Sequence, residues 1–394
     1  MFYRRFGRTN LQMPVLSCGG MRFQAGWDTL KREDIPADNQ TNLEAVIHRA
    51  LELGINHIET ARGYGSSEMQ LGLLLPSLDR EKLIVQTKIG PQESREKFME
   101  TFEVSMRNLQ LDHVDLLSVH GINNAEVLAQ TLGPGGALEC AQQLQREGRV
   151  RHIGFSTHGN CGEITEALKT DAFSYVNLHW YFVNDLNWGA ILEAEKRDIG
   201  VFIISPNDKG GKLYAPPEKL VRLCEPLTPM AFNDLYCLSR PQVHTLSIGA
   251  SKPSDFDAHI EALKYYPSME ATIAPIESRI RAEMDRVLGS DWTAGWWKNI
   301  PEHYAFPNEM NVLEILRLWS FAKSLDLVDF GKMRYNLLGN AGHWFPGTNA
   351  KEFDAHAIAP VLANSAFADR IPQILKEAND LLLGEEVQRL SKSE

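Results

Sequence analysis

The chain has 394 residues, of which 43% are hydrophobic and 23% charged, values typical of a folded globular protein. Its formal net charge of −11, with no cluster of lysine and arginine, argues against a nucleic-acid partner. The five cysteines are scattered and form no CxxC pair, so they indicate neither a disulfide framework nor a zinc site. No segment is apolar enough for a signal peptide or a membrane span. We therefore expect a cytoplasmic protein.

Residues 1–13 are the first unit that the sequence indicates. The segment Gly7–Asn10 contains residues that favour turns, so we predict a hairpin here. We expect this hairpin to close the N-terminal mouth of the barrel that the following residues predict.

From about residue 40 to 265, short β-branched or leucine-rich runs alternate with amphipathic stretches of roughly ten residues. This alternation predicts parallel strands joined by helices, and eight such units predict an α/β fold, a (β/α)8 TIM barrel. A doubly wound sheet is the alternative, weakened because no G-x-G-x-x-G motif follows the first strand. The predicted strands are Pro14–Gly20, His57–Thr60, Leu83–Lys88, Val114–His120, Val150–Ser156, Ser174–Leu178, Gly200–Ser205 and Thr245–Gly249.

Helical patterns separate these strands and recur near the end of the chain. The predicted helices are Asn42–Leu53, Ser67–Leu75, Glu96–Leu109, Gly136–Glu147, Cys161–Leu168, Gly189–Lys196, Ser254–Leu263, Met269–Leu288, Val312–Ser324 and Ile371–Ser391. Beyond Gly289 the composition changes, and tryptophans and prolines become frequent. We therefore predict a barrel domain over residues 1–288 and a small, irregular helical domain over residues 289–394.

Functional side chains stand at the ends of three successive predicted strands. Glu59 and Tyr64 follow the second strand, Lys88 ends the third and His120 ends the fourth. The C-terminal ends of barrel strands are where such folds keep their active sites. Each residue alone is commonly a packing or surface residue, but the combination predicts an acid–base site.

These four side chains suit the reduction of a carbonyl group by a nicotinamide hydride. A tyrosine can donate a proton to the developing oxyanion when a nearby ammonium lowers the pKa of the phenol. We assign these roles to Tyr64 and Lys88, with Glu59 as the counter-ion of the lysine. His120 would hydrogen-bond the substrate oxygen and orient the carbonyl.

The motifs resemble those of the aldo-keto reductase family. The family carries D-T-A-x-x-Y-G after the second strand, T-K at the end of the third and a histidine at the end of the fourth; here these are Glu59–Gly65, Thr87–Lys88 and His120. The opening Arg5–Pro14 is also similar, and the resemblance covers residues 1 to about 285. Glu59 replaces the family's aspartate. Because the charge is retained, we expect its pair with Lys88 to persist.

The resemblance implies that NAD(P) lies across the C-terminal mouth of the barrel, without a Rossmann fold. NADPH is the expected cofactor and NADH the alternative, since the carboxylate of Asp255 would repel a 2′-phosphate. Ile204 stands where the family often stacks an aromatic ring on the nicotinamide. The residues that the resemblance places at the cofactor are Gly20, Met21, Ser156, Asn177, Ser205, Pro206, Lys209, Gly210, Gly249, Ser251 and Lys252.

One branch of the family adds a C-terminal ferredoxin-like domain with four cysteine ligands. The corresponding positions here are Trp296, Asn299, Glu302 and Phe306, and residues 289–394 contain no cysteine. Iron–sulfur clusters need thiolate ligands. We therefore expect a degenerate ferredoxin-like domain with no iron–sulfur cluster and no metal, filled by an aromatic core.

The sequence thus predicts an NAD(P)H-dependent aldo-keto reductase that transfers a hydride to a small aldehyde or ketone. The alternative is a non-catalytic nicotinamide-binding protein that senses redox state and acts through its C-terminal domain. Neither the physiological substrate nor the formation of a homo-oligomer is determined by the sequence, and no nucleic acid or membrane partner is expected.

Overall fold

Eight parallel strands close into a barrel in the computed structural model of the protein, which describes residues 1–27 and 30–388. The strands of the chain are β1 (Tyr3–Arg5), β2 (Gln12–Pro14), β3 (Leu16–Gly19), β4 (His57–Glu59), β5 (Ile84–Ile89), β6 (Val114–His120), β7 (Val150–Ser156), β8 (Tyr175–Leu178), β9 (Gly200–Ile203) and β10 (Thr245–Ile248). The barrel runs from β3 to β10, and β10 pairs with both β9 and β3, which closes it. The predicted fold class is confirmed.

The antiparallel hairpin of β1 and β2 lies at the N-terminal mouth, as predicted. Its turn begins at Gly7, whose φ of +51° lets the backbone pack directly against Gly200 at the start of β9. Phe6 enters the barrel and contacts the ring of Tyr175, with centroids 5.6 Å apart. The hairpin therefore supplies part of the apolar interior of the barrel.

The register of the strands brings the predicted site residues to the same end of the barrel. Glu59 is the register partner of Gly19, and Ser156 is the register partner of both His120 and Asn177. The seventh predicted strand ends two residues early, because Ser205 has a left-handed φ of +53° that turns the chain into the following loop.

Helices surround the barrel and make up much of the C-terminal region. They are α1 (Ala37–Glu52), α2 (Ser67–Leu74), α3 (Arg95–Leu109), α4 (Ala125–Leu132), α5 (Ala137–Arg146), α6 (Cys161–Lys169), α7 (Trp188–Lys196), α8 (Glu218–Cys224), α9 (Pro229–Leu238), α10 (Asp257–Ala262), α11 (Met269–Leu288), α12 (Ser290–Thr293), α13 (Val312–Leu325), α14 (Val328–Tyr335), α15 (Ala355–Ile358) and α16 (Ile371–Leu382). Within the described ranges, no helix is long and apolar enough to cross a membrane.

Six of these helices were not predicted from the sequence: α4, α8, α9, α12, α14 and α15. For two of them, α9 and α14, the structure shows why the hydrophobic pattern gave no signal. In α9 every residue except Met230 is buried, so the polar face that marks a surface helix is missing. In α14, Gly331 interrupts the pattern, and it packs so tightly that a Cβ there would lie 2.7 Å from Leu382. Both helices are fixed by tertiary packing more than by local periodicity.

The last predicted helix is too long. In the structure this helix, α16, ends at Leu382, because the extended backbone of Leu383 stops it. The prediction is therefore wrong over residues 383–388. The side chain of Asn336 then accepts a hydrogen bond from the backbone N–H of Gly384 at 2.9 Å. Residues 389–391 of the prediction lie outside the described part of the chain.

An aromatic cluster holds the C-terminal helices together. Trp292 is fully buried, donates from its indole N–H to Ser320 at 2.9 Å, and contacts the rings of Trp319 and Phe367. The hydrophobic core runs from the barrel helices into these residues. A division into two domains at residue 288 stays a prediction.

Candidate active site

Tyr64, Lys88 and Glu59 form one connected group at the C-terminal end of the barrel. Glu59 ends β4, Tyr64 lies in the turn that follows, and Lys88 lies near the end of β5. The Lys88 ammonium donates hydrogen bonds to the Tyr64 hydroxyl and the Thr60 carbonyl oxygen, each at 3.1 Å. It also forms an ion pair with the carboxylate of Glu59.

This group is almost completely enclosed. The exposed fraction is 1% for Lys88, 3% for Glu59 and 7% for Tyr64. Burial lowers the pKa of the Lys88 ammonium well below its ordinary value, because removal from water disfavours the charged form. The carboxylate of Glu59 acts in the opposite direction and compensates the positive charge.

The longer side chain of Glu59 fits into this group without losing the ion pair that the sequence predicted. One carboxylate oxygen pairs with Lys88, and the other accepts a hydrogen bond from the Ser247 hydroxyl at 3.3 Å. Gly19 leaves the necessary space, since a Cβ there would lie 2.6 Å from the Ser247 hydroxyl oxygen and 3.3 Å from Glu59 Oε2. The Tyr64 hydroxyl donates a hydrogen bond to Glu59 Oε1 at 3.4 Å.

His120, at the end of β6, completes the group of residues that the sequence placed together. Its ring meets that of Tyr64 edge-on, with centroids 5.9 Å apart, and that of Trp344 at 5.0 Å. Gly121 leaves the space for this contact, because a Cβ there would lie 2.5 Å from the Trp344 ring. The C-terminal region therefore reaches the candidate catalytic residues.

A cavity of about 890 Å³ contains this group in its wall. The loops that follow the barrel strands form much of the wall, with residues of α9, α10, α14 and the chain after α14. The predicted cofactor residues that line it are Met21, Ser156, Ser205, Pro206, Lys209, Gly249, Ser251 and Lys252.

Two other predicted cofactor residues, Gly20 and Gly210, do not line the cavity. Both lie where one backbone segment approaches another closely. A Cβ added at Gly20 would lie 2.7 Å from the carbonyl oxygen of Glu59. A Cβ added at Gly210 would lie 1.9 Å from the carbonyl oxygen of Pro206. The structure thus gives both glycines a packing role, and their contact with a cofactor stays a prediction.

Ser156 and Asn177 lie side by side at the ends of β7 and β8. Ser156 lines the cavity, and its hydroxyl oxygen accepts a hydrogen bond from the backbone N–H of Gly121 at 3.2 Å. Asn177 is fully buried behind the cavity wall, and neither polar atom of its amide has a hydrogen-bond partner among the described residues. Such a group is unfavourable by about 1–3 kcal/mol. A carboxamide, which both donates and accepts, would complement these two side chains.

The other end of the predicted cofactor site carries a carboxylate that is already engaged. Asp255 accepts hydrogen bonds from the backbone N–H and the hydroxyl of Ser251, at 2.8 Å each, and from the backbone N–H of Lys252 at 3.2 Å. The sequence prediction assigns these donors to a 2′-phosphate. In the structure the carboxylate of Asp255 already accepts from them.

Sequence reasoning missed Arg22, Asp208 and His158 in the cavity wall, and His179 beside it, near the loop that follows β9. Arg22 bridges to Asp208 on this loop at 3.3 Å. Lys209 lies 3.4 Å from a ring nitrogen of His158 and 3.2 Å from one of His179. His158 follows Ser156 by two residues, and His179 follows Asn177 by two. This proximity to the predicted nicotinamide ligands is the sequence feature that could have identified them.

A metal centre is not evident in the part of the chain that the structure describes, where no three His, Cys, Asp or Glu side chains are grouped to hold an ion. At one predicted cluster-ligand position, Trp296 is buried and stacks on Trp292 with ring centroids 6.5 Å apart. The sequence prediction places a cluster ligand at this position, and the structure has an aromatic contact there.

Comparisons with known proteins identify the family. Residues 15–213, half of the chain, match the model of the aldo/keto reductase family. The chain is 24% identical over 340 residues to an L-galactose dehydrogenase of Arabidopsis thaliana, a match that covers 75% of this chain and 98% of that protein. It is 26% identical over 174 residues to the L-glyceraldehyde 3-phosphate reductase of Escherichia coli K12, covering 40% of this chain and 46% of that protein.

Among solved structures, the fold is similar to that of an aldo-keto reductase from Bacillus halodurans in its holo form. The TM-score is 0.58 with 23% identity, and the match covers 71% of this chain and 96% of that one. The segment that matches the family model contains the connected group of Glu59, Tyr64, Lys88 and His120. The chain belongs to the aldo/keto reductase family.

Proposed function

We propose that the protein is an NAD(P)H-dependent oxidoreductase that reduces an aldehyde or ketone, with Tyr64 as the general acid. The observation that carries the proposal is the hydrogen bond from the buried, ion-paired Lys88 to the Tyr64 hydroxyl. Membership of the family supports an oxidoreductase. The names of the two relatives, a dehydrogenase and a reductase, agree with hydride transfer.

Each residue of the group has a task in this reaction. The nicotinamide, when bound, supplies the hydride that adds to the carbonyl carbon. Tyr64 donates its proton to the carbonyl oxygen as negative charge develops there. Lys88, 3.1 Å from the phenol oxygen, stabilises the phenolate that remains, and Glu59 balances the charge of the lysine. His120 hydrogen-bonds the substrate oxygen and so orients the carbonyl.

The cavity suggests how the chain would hold the cofactor. Ser156, in the cavity wall, would bind the carboxamide of the nicotinamide, and the loop at residues 205–211 would follow the diphosphate. The neighbouring Asn177 does not line the cavity, so its contact with the carboxamide stays a prediction from the sequence, supported by its unpaired amide among the described residues. Ser251 and Lys252 would face the adenosine end. NADPH remains the cofactor expected from the family resemblance, with NADH as the alternative that Asp255 favours.

The C-terminal region is best explained as a ferredoxin-like domain that has lost its iron–sulfur ligands. Its aromatic core and its contact with the active site through Trp344 support a role in shaping the cavity. We place the enzyme in the cytoplasm.

Turnover measurements test the proposal directly. Oxidation of NADPH and of NADH is followed by absorbance with a panel of aldehydes, ketones and quinones, for the natural protein and for Tyr64→Phe. We expect turnover by the natural protein and a loss of about 10²-fold or more in kcat with Tyr64→Phe, because the general acid is gone. Tyr304→Phe, a change at an exposed tyrosine outside the cavity, is the matched control.

The same experiment separates the enzyme from a redox-sensing protein. Tight binding of a reduced nicotinamide without turnover of any carbonyl compound would favour the sensor. Turnover that Tyr64→Phe leaves unchanged would reject Tyr64 as the proton donor while keeping the reductase.

A further inference from the structure

Arg334, on α14, brings a positive charge to the cavity wall. Among the described residues, no carboxylate oxygen lies within 4.0 Å of its guanidinium nitrogens. The acidic side chains that act on it electrostatically are Glu314 and Asp208. Both are engaged elsewhere, since Glu314 pairs with Arg317 and Asp208 with Arg22.

The guanidinium of Arg334 is held in place by stacking. It lies over the ring of Phe345, with its central carbon 3.8 Å from the ring centroid. Stacking uses the face of the guanidinium and leaves the N–H groups at its edge for a ligand. These edge groups are the ones that bind carboxylates and phosphates through two parallel hydrogen bonds.

The charge of Arg334 is unfavourable in the protein alone. Burial lowers the pKa of its guanidinium from the ordinary value, yet an arginine keeps its proton at neutral pH. By its exposed surface Arg334 is only partly buried, and a charge partly removed from water without a carboxylate beside it among the described residues is less stable than a fully hydrated one. An anion that arrives with a ligand would remove this deficit.

Lys209 adds a second positive charge to the same wall. The carbonyl oxygen of Trp344 can only accept, so His158 Nδ1, at 2.8 Å, carries the proton and His158 Nε2 accepts from Lys209. Burial and the charge of Lys209 lower the pKa of His179, which keeps that ring neutral and able to accept as well. Two neutral histidines thus hold the ammonium at the ends of β7 and β8.

This charged wall is connected to the reacting centre. Phe345 follows Trp344, whose ring lies 5.0 Å from that of His120 and 5.2 Å from that of His158. The positive charges therefore lie at the end of the cavity where a carbonyl substrate would meet Tyr64.

We propose that the substrate is an aldehyde or ketone with an anionic group, a carboxylate or a phosphate, which Arg334 binds together with Lys209. The inference rests on the proposed function and names its substrate class. Arg334 lies beyond residues 15–213, which match the family model, so it is a property of this chain's own C-terminal region. The diphosphate of the cofactor is the competing anion, and the test has to tell the two apart.

The test compares aldehydes that differ only in charge. For the natural protein we expect kcat/KM to be at least tenfold higher for 4-carboxybenzaldehyde than for 4-methylbenzaldehyde, or for glyceraldehyde 3-phosphate than for glyceraldehyde. The pair that shows the preference identifies a carboxylate or a phosphate. Arg334→Met should reduce that preference at least tenfold, mainly through KM for the anionic aldehyde. Lys332→Met removes a charge from an exposed position of the same helix and should leave the preference intact.

Three results would overturn the inference: no preference in the natural protein, an equal effect of Arg334→Met on both members of a pair, or weaker binding of NADPH to Arg334→Met in a fluorescence titration. Arg334→Lys keeps the charge but not the planar guanidinium, so it should retain part of the preference that Arg334→Met loses. If Arg334→Met does not fold, Arg334→Lys takes its place in the test. If no aldehyde is turned over, the proposed reductase fails by itself. Calorimetry with benzoate and with glycerol 3-phosphate then still decides whether the natural protein binds an anion that Arg334→Met does not.

Discussion

The ammonium of Lys88 lies 3.1 Å from the hydroxyl oxygen of Tyr64, in a site where neither side chain is more than 7% exposed. An ammonium in this position stabilises the phenolate of Tyr64 more strongly than the same charge would in water, because the enclosed surroundings screen the interaction less. The same enclosure makes the lysine dependent on Glu59. Catalysis and stability are therefore coupled through one ion pair.

Replacing the lysine should separate these two effects. Lys88→Met leaves the carboxylate of Glu59 buried without a cation, so we expect the free energy of unfolding to fall by about 3–5 kcal/mol. The double variant Lys88→Met/Glu59→Gln has no orphaned charge and should recover most of that loss. Both variants should reduce kcat at least about 10²-fold, since the phenolate of Tyr64 is no longer stabilised. Denaturant unfolding and turnover assays measure the two quantities, and a double variant that regains activity would contradict the role of Lys88.

A buried histidine one layer below this group predicts how stability depends on pH. His57 lies between Ser17 and Gln86 inside the barrel, at 2.7 and 3.1 Å, and burial lowers its pKa to about 3. The unfolded chain binds a proton at His57 near pH 6.5 and the folded protein does not, so the stabilisation is present above that pH and is lost as the pH falls towards 3.

We expect His57 to account for a loss of about 3 kcal/mol in the free energy of unfolding between about pH 7 and pH 4. His57→Gln, which does not titrate there, should show a shallower dependence in parallel denaturant titrations. Other buried histidines add to the slope in both proteins, so the difference between the two curves isolates His57. Identical slopes would show that His57 titrates normally in the fold.

The barrel could be predicted from the sequence because its signals are local. Alternating strand and helix patterns are read within windows of roughly ten residues, and Glu59, Lys88 and His120 stand at strand ends, where the topology brings them together. Helix α9 was missed for a physical reason: its faces are nearly all buried, which removes the periodicity. The end of the last helix depends on Asn336, which is far away in the sequence.

The part of the site that comes from the C-terminal region could not be predicted. Trp344 reaches His120 only because the chain returns to the barrel mouth after five further helices, and no local pattern encodes that return. The sequence gives no sign that Arg334 has no carboxylate within ion-pair distance among the residues that the structure describes. Whether a charged residue is paired depends on the neighbours that tertiary structure supplies.

The preference between the two nicotinamide cofactors should depend on Asp255. Its carboxylate holds the donors of Ser251 and would repel a 2′-phosphate. Asp255→Asn removes this charge, and we expect the ratio of Kd for NADPH to Kd for NADH to fall about fivefold, the effect of roughly 1 kcal/mol. Fluorescence titrations with both cofactors measure the ratio. Asp257→Asn, which removes an exposed carboxylate paired with Arg49, is the control, and an equal change for both cofactors would argue against a 2′-phosphate at this position.

Gly121 offers a test of the contact between the C-terminal region and the barrel. In Gly121→Ala the new Cβ would lie 2.5 Å from the Trp344 ring, so the ring, which also contacts His120, has to shift. The residue also has a φ of +84°, which by itself strains an alanine by about 1 kcal/mol. Gly148→Ala shares this strain, with a φ of +74°, but its Cβ would meet no atom within 4 Å, so it is the matched control.

If Trp344 helps to seat His120, Gly121→Ala should lower kcat/KM at least tenfold, whereas Gly148→Ala should lower only the free energy of unfolding. The expected effect follows from orientation, because a histidine displaced by about 1 Å no longer holds the carbonyl in line for transfer. Steady-state kinetics together with thermal unfolding of both variants separate the two contributions. Equal kinetics in the two variants would mean that the C-terminal region covers the cavity without positioning His120, and the role of Trp344 would then be limited to excluding water.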